Sequence, residues 1–396
     1  MDTYCARSWN YFLVDLDKME HKMCCKTKWE PLELDADWFN GDVIKARRQD
    51  HLNGIQTPAC FHCWDLENRN QWSPRLGVTR PNPITDSLES YAGGMLEIEV
   101  GNTCDMACRY CDSRYSSIWA ARMGDVHNSK ETRAEHRQLP RSRALMDKFY
   151  AWLEREKDKL NDVLIQGGEP LLIPETYDII ERVDWRNVNM QFNTNLNTPE
   201  HYMVKIEQAI DRLTDQGNKV YFRVSVDGVG EQNSWQRQNC DWNRWRDNWY
   251  RIGSRNVIMK AALTVTALTM ESMPGIAQFV LDSAQHLHNQ PRFEQLNVVT
   301  WPRPLDVTEW LGSFQDELQQ FDLILDQQAD YGNKANIKKQ VADMRANQPV
   351  PPSVSKVRQF VDYLDDSQTR WGGGDWRAIY PKTAAIAQRV LEQTQP

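Results

Sequence analysis

The sequence predicts an α/β fold built from repeated strand–helix units, and two observations support this. Short apolar segments with strand character recur from residue 95 onward, and stretches such as Pro199–Thr214 and Ser272–His286 between them have helical apolar spacing. The predicted strands are Met95–Val100, Val163–Gln166, Val188–Phe192, Tyr221–Val226, Val257–Val265 and Leu296–Val299. Six strand–helix units of this kind imply a parallel sheet. We therefore predict an open sheet curled into a partial (β/α)6, TIM-like barrel.

Two further segments flank the predicted barrel. The N-terminal part contains two short strand-like runs, Trp9–Asp15 and His21–Thr27, which predict a small β-hairpin. Residues 64–90 are rich in turn signals and are interpreted as a linker, and residues 126–140 as a polar surface excursion. The sequence of the C-terminal part predicts several helical segments.

These C-terminal helical segments carry no metal-binding or nucleophile pattern. They are predicted at Val307–Glu317, Phe321–Arg345, Ser353–Tyr363 and Lys382–Glu392. We therefore treat them as a helical extension of the barrel, whose role the sequence leaves open.

Composition indicates a globular protein with no membrane contact. The chain has 396 residues, of which 40% are hydrophobic and 26% charged, so it is long enough for more than one domain. No apolar run approaches the ~18 residues of a membrane span. The N-terminus also lacks the layout of a secretory signal, so we expect a cytoplasmic protein. The net charge of −8 disfavours general nucleic-acid binding.

The segment Gly101–Asp112 follows the first predicted strand and places Cys104, Cys108 and Cys111 in a C-x3-C-x2-C run. Three thiolates on one loop can hold three irons of a [4Fe–4S] cluster and leave the fourth iron open to a small ligand. The alternatives are a structural zinc site and scattered buried thiols. Zinc sites usually have four protein ligands, whereas this run offers three.

A second group of cysteines lies near the N-terminus. Cys5, Cys24, Cys60 and Cys63 can ligate a second [4Fe–4S] cluster completely, or one zinc ion, and both alternatives stay open. Adjacent cysteines rarely reach the same metal, so we choose Cys24 over its neighbour Cys25. The lone Cys240 is interpreted as a small buried hydrophobe.

Polar groups follow several predicted strands. The second strand is followed by Gly167, Gly168 and Glu169, where glycines allow close backbone approach and the carboxylate suits a cationic amine. Later strands end near Asn195, Ser225, Asp227 and Thr264, and such short polar groups suit hydroxyls and carboxylates of a ligand. Each of these residue types is also common at ordinary turns.

The segment Ser234–Trp249 is dense in tryptophan and arginine. It is either a stacking surface for a substrate or nucleic acid, or an amphipathic helix. Trp242, Trp245 and Trp249 have the i, i+3, i+7 spacing of one buried helix face, so we favour the helix.

The cysteine loop, with Tyr110 before its last cysteine, together with Gly-Gly-Glu-Pro at a strand end, resembles the radical S-adenosylmethionine (SAM) superfamily. The resemblance covers roughly residues 1–300 and implies a [4Fe–4S] cluster on Cys104, Cys108 and Cys111. It further implies a set of SAM-binding residues: Gly167, Gly168 and Glu169 at the amino group, Ser225 and Arg237 at the carboxylate, Asn195 at the ribose or carboxylate, Asp227 in the neighbouring polar shell, and Tyr110 and Thr264, in Leu263–Val265, beside the adenine.

The N-terminal order of cysteine, hairpin, cysteine, spacer and C-x2-C is similar to the twitch module, a short SPASM auxiliary-cluster module of radical SAM enzymes. That module normally follows the barrel, so we interpret it here as permuted. The predicted domains are residues 1–90, the auxiliary module and linker; residues 91–303, the radical SAM barrel; and residues 304–396, the helical extension.

The resemblance implies an enzyme, a radical SAM oxidoreductase or modifying enzyme. It would cleave SAM reductively to a 5′-deoxyadenosyl radical that abstracts hydrogen from a substrate. We expect a peptide or protein, or else a small molecule, as substrate, and flavodoxin or ferredoxin as electron donor; no catalytic acid or base is identified. Two alternatives stay open: a non-catalytic binding protein stabilised by zinc or iron–sulfur on the same fold, and a radical SAM enzyme that modifies a nucleobase or RNA.

Overall fold

The structure, a computed structural model, describes residues 3–24, 26–32, 34, 41–68, 73, 75–76, 87–88, 94–122, 143–346 and 350–393. Cys25, the predicted excursion at 126–140 and much of the predicted linker lie outside these ranges. The fold is mixed α/β, with parallel strands and many helices. The chain divides into a first unit, Met1–Gly101, Gln138–Phe192 and Ala209–Lys219, and a second unit, Asn102–Arg137, Asn193–Gln208 and Val220–Pro396.

The strands and helices are numbered in chain order. The strands are β1 Tyr11–Asp15, β2 Glu20–Lys22, β3 Glu30–Pro31, β4 Gly94–Glu99, β5 Ala107–Cys108, β6 Leu160–Gln166, β7 Asn189–Thr194, β8 Lys219–Ser225, β9 Arg237–Gln238, β10 Ile258–Val265 and β11 Arg292–Val298. The α-helices are α1 Arg7–Asn10, α2 Asp42–Leu52, α3 Phe61–Asn68, α4 Ser117–Arg122, α5 Arg143–Glu156, α6 Pro174–Arg182, α7 Glu200–Asp215, α8 Glu231–Gln236, α9 Trp242–Gly253, α10 Ala267–Ser283, α11 Gln315–Gln327, α12 Lys334–Arg345, α13 Val354–Trp371, α14 Trp376–Ile379 and α15 Pro381–Glu392. Short 3₁₀ turns include Pro170–Leu172 and Thr308–Phe314.

In the first unit, β4 pairs in parallel with β6, and β6 with β7. The predicted hairpin is present as the antiparallel pair β1–β2. However, β1 also pairs in parallel with β4 along its whole length, from Tyr11 opposite Met95 to Asp15 opposite Glu99. Every residue of β1 is buried, as is typical of a strand with neighbours on both sides. The N-terminal strand therefore extends the same sheet as β4, and the domain division at residue 90 stays a prediction.

In the second unit, β8, β10 and β11 are parallel neighbours. Along β10 the residues alternate between buried and half-buried, so one face of this sheet packs in the core and the other is partly open. Ser225 pairs with Ala262, which places Ser225 on the same partly open face as Thr264. A strand occurs at each of the six predicted positions, whereas the closure into a partial barrel stays a prediction.

From Trp242 onward the Trp-rich segment forms helix α9, which confirms the helical interpretation for this part, while the residues before it complete α8 and form β9. Asp241 caps the helix, because its side chain accepts hydrogen bonds from the backbone N–H groups of Asn243 and Arg244. Trp245 and Trp249 are fully buried, and their rings stack with centroids 5.5 Å apart. Trp245 and Trp249 thus belong to the core of the second unit, whereas Trp242 is half-buried.

The single helix predicted at Phe321–Arg345 is wrong, because the structure has two helices there, α11 and α12. The chain is extended at Gln328, directly after α11. The break places Tyr331 where its hydroxyl oxygen accepts a hydrogen bond from the backbone N–H of Phe293 on β11, at 3.2 Å. A contact with a distant strand therefore outweighs the local helical pattern.

Across the described residues, no helix combines the length and the apolar character that crossing a lipid bilayer requires.

The ends of β4 and β6 approach each other closely in the first unit. The backbone N–H of Gly168 donates to the carbonyl oxygen of Gly101 at 2.7 Å. A Cβ atom added to Gly167 would lie 2.4 Å from that same oxygen, and the φ angle of Gly167 is +144°. Both the contact and the backbone conformation therefore require glycine at position 167.

We expect Gly167→Ala to lower the free energy of unfolding by about 1–3 kcal/mol, because the backbone of two strand ends must separate. Urea denaturation checks this. The matched control is Gly275→Ala in α10, where the nearest atom to an added Cβ is Val229 Cγ2 at 3.8 Å. There alanine should be neutral or stabilise by up to about 1 kcal/mol. Equal effects of the two substitutions would contradict the close-approach argument.

Candidate functional site

The cysteine loop lies in the second unit, and short-range structure holds it. Cys108 is in β5, whose two residues pair antiparallel with β9, so that Cys108 faces Arg237 directly across the ladder. The backbone N–H of Cys111 donates to the carbonyl oxygen of Cys108 at 2.9 Å. Cys108 is buried, Cys104 and Cys111 are half-buried, and none of the three forms a disulfide bond.

Several N–H groups point at the sulfur atoms of this loop. The backbone N–H of Met106 and the side-chain amide of Asn195 lie 3.4 Å and 3.8 Å from the Sγ of Cys104. The guanidinium Nη1 of Arg237 lies 3.7 Å from the Sγ of Cys108. Donors in these positions stabilise negative charge on sulfur, which is the state of a thiolate bound to a metal.

Burial disfavours the charged form of two of the loop thiols. Burial raises the pKa of Cys108 and raises the pKa of Cys111 well above its usual value, to which the neighbouring Cys108 adds. In the described ranges, no three His, Cys, Asp or Glu side chains are arranged to hold a single metal ion. A zinc ion needs all its ligands about 2.3 Å from one point, whereas a cluster binds each thiolate to a separate iron. Three thiolates on one loop match the three protein ligands of a [4Fe–4S] cluster whose fourth iron is open.

Asp227 is the centre of a buried polar network behind the loop. Its side chain is fully buried, and Oδ1 accepts a hydrogen bond from the backbone N–H of Thr264 at 2.7 Å. Its Oδ2 forms an ion pair with Nε of Arg237 at 2.8 Å and accepts a hydrogen bond from the Tyr110 hydroxyl. Four residues predicted from separate strand ends and from the loop thus contact one another.

The guanidinium of Arg237 stays protonated in this network. Burial opposes ionisation of Arg237, but the Asp227 carboxylate outweighs this and raises the pKa of the guanidinium above its usual value. Burial raises the pKa of Tyr110 well above its usual value, so its hydroxyl stays protonated and donates. Asp227 and Arg237 therefore form a fixed pair of opposite charges.

The polar residues after β7 bind the loop on another side. Asn195 and Asn197 donate through their side-chain amides to the Asp105 carboxylate, at 2.8 Å and 3.0 Å. The side-chain amide of Asn239 donates to the Asp105 carbonyl at 3.3 Å. Of these residues, sequence reasoning singled out Asn195 alone. Asp105 and Asn197 were detectable as polar residues near the same motifs, but their contact is tertiary.

The remaining predicted SAM residues lie in two places. Ser225 ends β8 and is half-buried, in the second unit. Gly167, Gly168 and Glu169 follow β6 in the first unit. Glu169 is fully buried, and its Oε1 accepts a hydrogen bond from the backbone N–H of Leu171 at 3.1 Å, which caps a 3₁₀ turn.

The N-terminal cysteines line one recess of the first unit. Cys5, Cys24, Cys60 and Cys63 line this recess together with Arg75 and other side chains. Burial, with the nearby Cys5 and Cys63, raises the pKa of Cys60 to about 12. The structure thus brings together the four thiols that sequence spacing proposed as ligands, while the nature of any metal stays a prediction.

Arg109, between two of the loop cysteines, is a residue that sequence reasoning missed. It is almost completely buried, and its guanidinium donates at 2.7 Å to the Trp235 carbonyl, the Ser367 hydroxyl and the Gly372 carbonyl. The guanidinium also lies 3.7 Å from the centre of the Trp235 ring. Burial lowers the pKa of Arg109 to about 10, so it remains charged at neutral pH.

Helix α13 contacts the loop at further points. The Tyr363 hydroxyl donates to the carbonyl oxygen of Arg109 at 2.5 Å. Trp371 packs edge-on against Trp119 with ring centroids 4.9 Å apart, and the Trp119 indole donates to the Cys108 carbonyl at 3.0 Å. The C-terminal extension therefore helps to hold the cysteine loop. No motif in the sequence of the extension indicates this role.

Cys240 behaves as the sequence predicts for a lone cysteine. It is buried, and burial raises its pKa to about 12. The side-chain amide of Asn233 lies 3.4 Å from its sulfur.

Comparisons with known proteins bear on the same part of the chain. The family model of the Radical SAM superfamily matches residues 98–280, a range that contains the cysteine loop and all the predicted SAM-binding residues. No curated protein matches the chain significantly. Among solved structures, the chain is similar to that of Streptococcus suis SuiB bound to precursor peptide SuiA, with 12% identity and a TM-score of 0.36 over 92% of this chain and 70% of that one.

We expect Arg109→Lys to lower the free energy of unfolding by about 2–4 kcal/mol, because lysine cannot reach three buried acceptors at once. Urea denaturation followed by tryptophan fluorescence measures the change. Arg377→Lys is the matched control, since Arg377 forms a two-point pair with Asp365 on the surface. It should cost less than about 1 kcal/mol. A comparable loss in the control would contradict a special role for Arg109.

Proposed function

We propose that this protein is a radical SAM enzyme in which Cys104, Cys108 and Cys111 hold a [4Fe–4S] cluster. The match of residues 98–280 to the Radical SAM superfamily supports SAM-dependent radical chemistry. The observation that carries the proposal is the loop of three cysteines, with N–H donors at the sulfur atoms of Cys104 and Cys108. When bound, the cluster supplies the electron that cleaves SAM into methionine and a 5′-deoxyadenosyl radical.

The residues of the Asp227 network have proposed roles at SAM. Arg237 and Ser225 bind the carboxylate, and Tyr110 and Thr264 lie beside the adenine. Asp227 orients these groups, because it contacts the guanidinium of Arg237, the Tyr110 hydroxyl and the Thr264 backbone directly. A rigid polar frame of this kind lowers the entropy cost of orienting a flexible cofactor.

Two other groups of residues complete the proposed SAM contacts. Asn195 binds the ribose or carboxylate, and its amide is already held by Asp105. Glu169 binds the amino group, and Gly167 and Gly168 allow the backbone to approach it. Burial strengthens a charge-assisted contact of this kind, because the surrounding dielectric is low.

We further propose that Cys5, Cys24, Cys60 and Cys63 hold an auxiliary [4Fe–4S] cluster in a twitch-like module. Their placement around one recess supports this. Since all four ligands come from the protein, the auxiliary cluster serves electron transfer or bracing rather than substrate ligation.

The proposed substrate is a peptide or protein, or a small molecule, with an unactivated C–H bond. Removal of hydrogen from it requires a pocket that excludes water, since a carbon radical otherwise reacts with whatever reaches it. The proposed electron donor is flavodoxin or ferredoxin.

The proposed function predicts that anaerobic reconstitution, followed by dithionite and SAM, yields 5′-deoxyadenosine, measured by chromatography. Cys104→Ala/Cys108→Ala/Cys111→Ala should lose this product, because no thiolate remains on the loop. Cys240→Ala is the control and should retain it. Zinc in place of iron, with no 5′-deoxyadenosine from the unchanged protein, would contradict the enzymatic proposal and favour a metal-stabilised binding protein.

The proposed auxiliary cluster predicts additional iron, which can be measured separately from the iron of the loop cluster. Iron analysis of the reconstituted protein should give about eight irons per chain, and Cys60→Ala/Cys63→Ala should reduce this to about four. The loop cysteines of this variant are unchanged, so its remaining iron should still support SAM cleavage. One equivalent of zinc lost from the variant, with no change in iron, would show a zinc site instead.

A further inference from the structure

A buried cation and a buried anion lie behind Cys108 in a fixed order. Arg237 lies opposite Cys108 in the β5–β9 ladder, so the backbone, and not only a flexible side chain, sets its position. Its Nη1 is 3.7 Å from the Cys108 sulfur, and its Nε is 2.8 Å from the Asp227 carboxylate. The cation therefore contacts the sulfur directly, and the anion contacts the cation.

This pair is isolated from solvent. Only 5% of Arg237 is exposed, and none of Asp227. Thr264 and Tyr110 hold the carboxylate from two further directions, so the pair cannot separate without breaking these hydrogen bonds. Charges in such a setting are screened weakly by water and salt, and their effect on a neighbouring group is correspondingly large.

We propose that Arg237 and Asp227 form a built-in charge pair that sets the reduction potential of the cluster on the cysteine loop, with the two charges acting in opposite directions. This inference rests on the proposed function, because it requires a cluster at Cys104, Cys108 and Cys111. Arg237 and Asp227 are positioning residues in this role, since they act on the cluster through Cys108.

The sign of each effect follows from electrostatics. Reduction adds one negative charge to the cluster and its thiolates, so a neighbouring cation stabilises the reduced form and raises the potential. A neighbouring anion has the opposite effect. Arg237 therefore raises the potential through Cys108, and Asp227 lowers it by offsetting the charge of Arg237.

The test is a redox titration of the reconstituted full-length protein without SAM. Electron paramagnetic resonance measures the fraction of reduced cluster at each potential. The signal of the loop cluster is identified by its loss in Cys104→Ala/Cys108→Ala/Cys111→Ala. We expect a lower midpoint potential in Arg237→Gln and a higher one in Asp227→Asn. Arg237→Lys should stay near the potential of the unchanged protein, because the charge remains.

Removal of one partner leaves a buried unpaired charge, which destabilises a fold by several kcal/mol. The double variant Arg237→Gln/Asp227→Asn avoids this and should return toward the unchanged potential. If Asp227→Asn alone does not retain iron, the effect of Asp227 is measured between Arg237→Gln and the double variant, where the potential should rise. Arg377→Gln is the control, since Arg377 pairs with Asp365 at the surface, where water and salt screen its charge; the potential of this variant should not change.

Iron and sulfide are measured on every sample. Absence of a loop cluster in the unchanged protein would overturn the proposed function and this inference with it. A loop cluster whose potential is unchanged by these variants, or moves in the same direction in Arg237→Gln and Asp227→Asn, would overturn this inference alone. A purely structural role for the pair would give shifts of the same sign or only loss of iron.

Discussion

A carboxylate buried without compensation would cost the fold several kcal/mol, and Asp227 is fully buried. The second unit meets this constraint with Arg237, Tyr110 and the backbone of Thr264, which come from β9, the cysteine loop and β10. Satisfying one charge thus fixes three separate segments relative to one another. Because β9 pairs with β5, the position of Cys108 depends on the same interaction.

The loop is also held by groups outside the proposed SAM-binding set. Arg109 uses its planar guanidinium to bond three acceptors, which a point-charge side chain could not do. Two of these acceptors, with Tyr363, belong to the C-terminal extension. The proposed cluster would gain from such rigidity, because a loop free to move would expose the metal to solvent. The extension is therefore part of the proposed cluster site.

The first unit shows how one strand can connect a cysteine-rich segment to a sheet. β1 follows Cys5 closely and lies between β2 and β4, so the recess lined by the N-terminal cysteines is attached to the sheet through paired backbone rather than through a flexible linker. At the end of β4, Gly101 meets Gly167 and Gly168 in a contact that leaves no room for a Cβ. Glycine in this motif is thus required by the fold as well as suited to a ligand.

The sequence by itself determined the positions of six strands, the helix from Trp242 onward and the cysteine and Gly-Gly-Glu-Pro motifs, because apolar periodicity and short motifs are local properties of a chain. Only the tertiary structure decided the parallel pairing of β1 with β4, the break before α12 and the role of Arg109. These depend on contacts between distant segments: Arg109 and Gly372 are 263 positions apart. A local sequence pattern does not indicate which distant acceptor a buried cation will contact, because that contact forms only when the segments pack together.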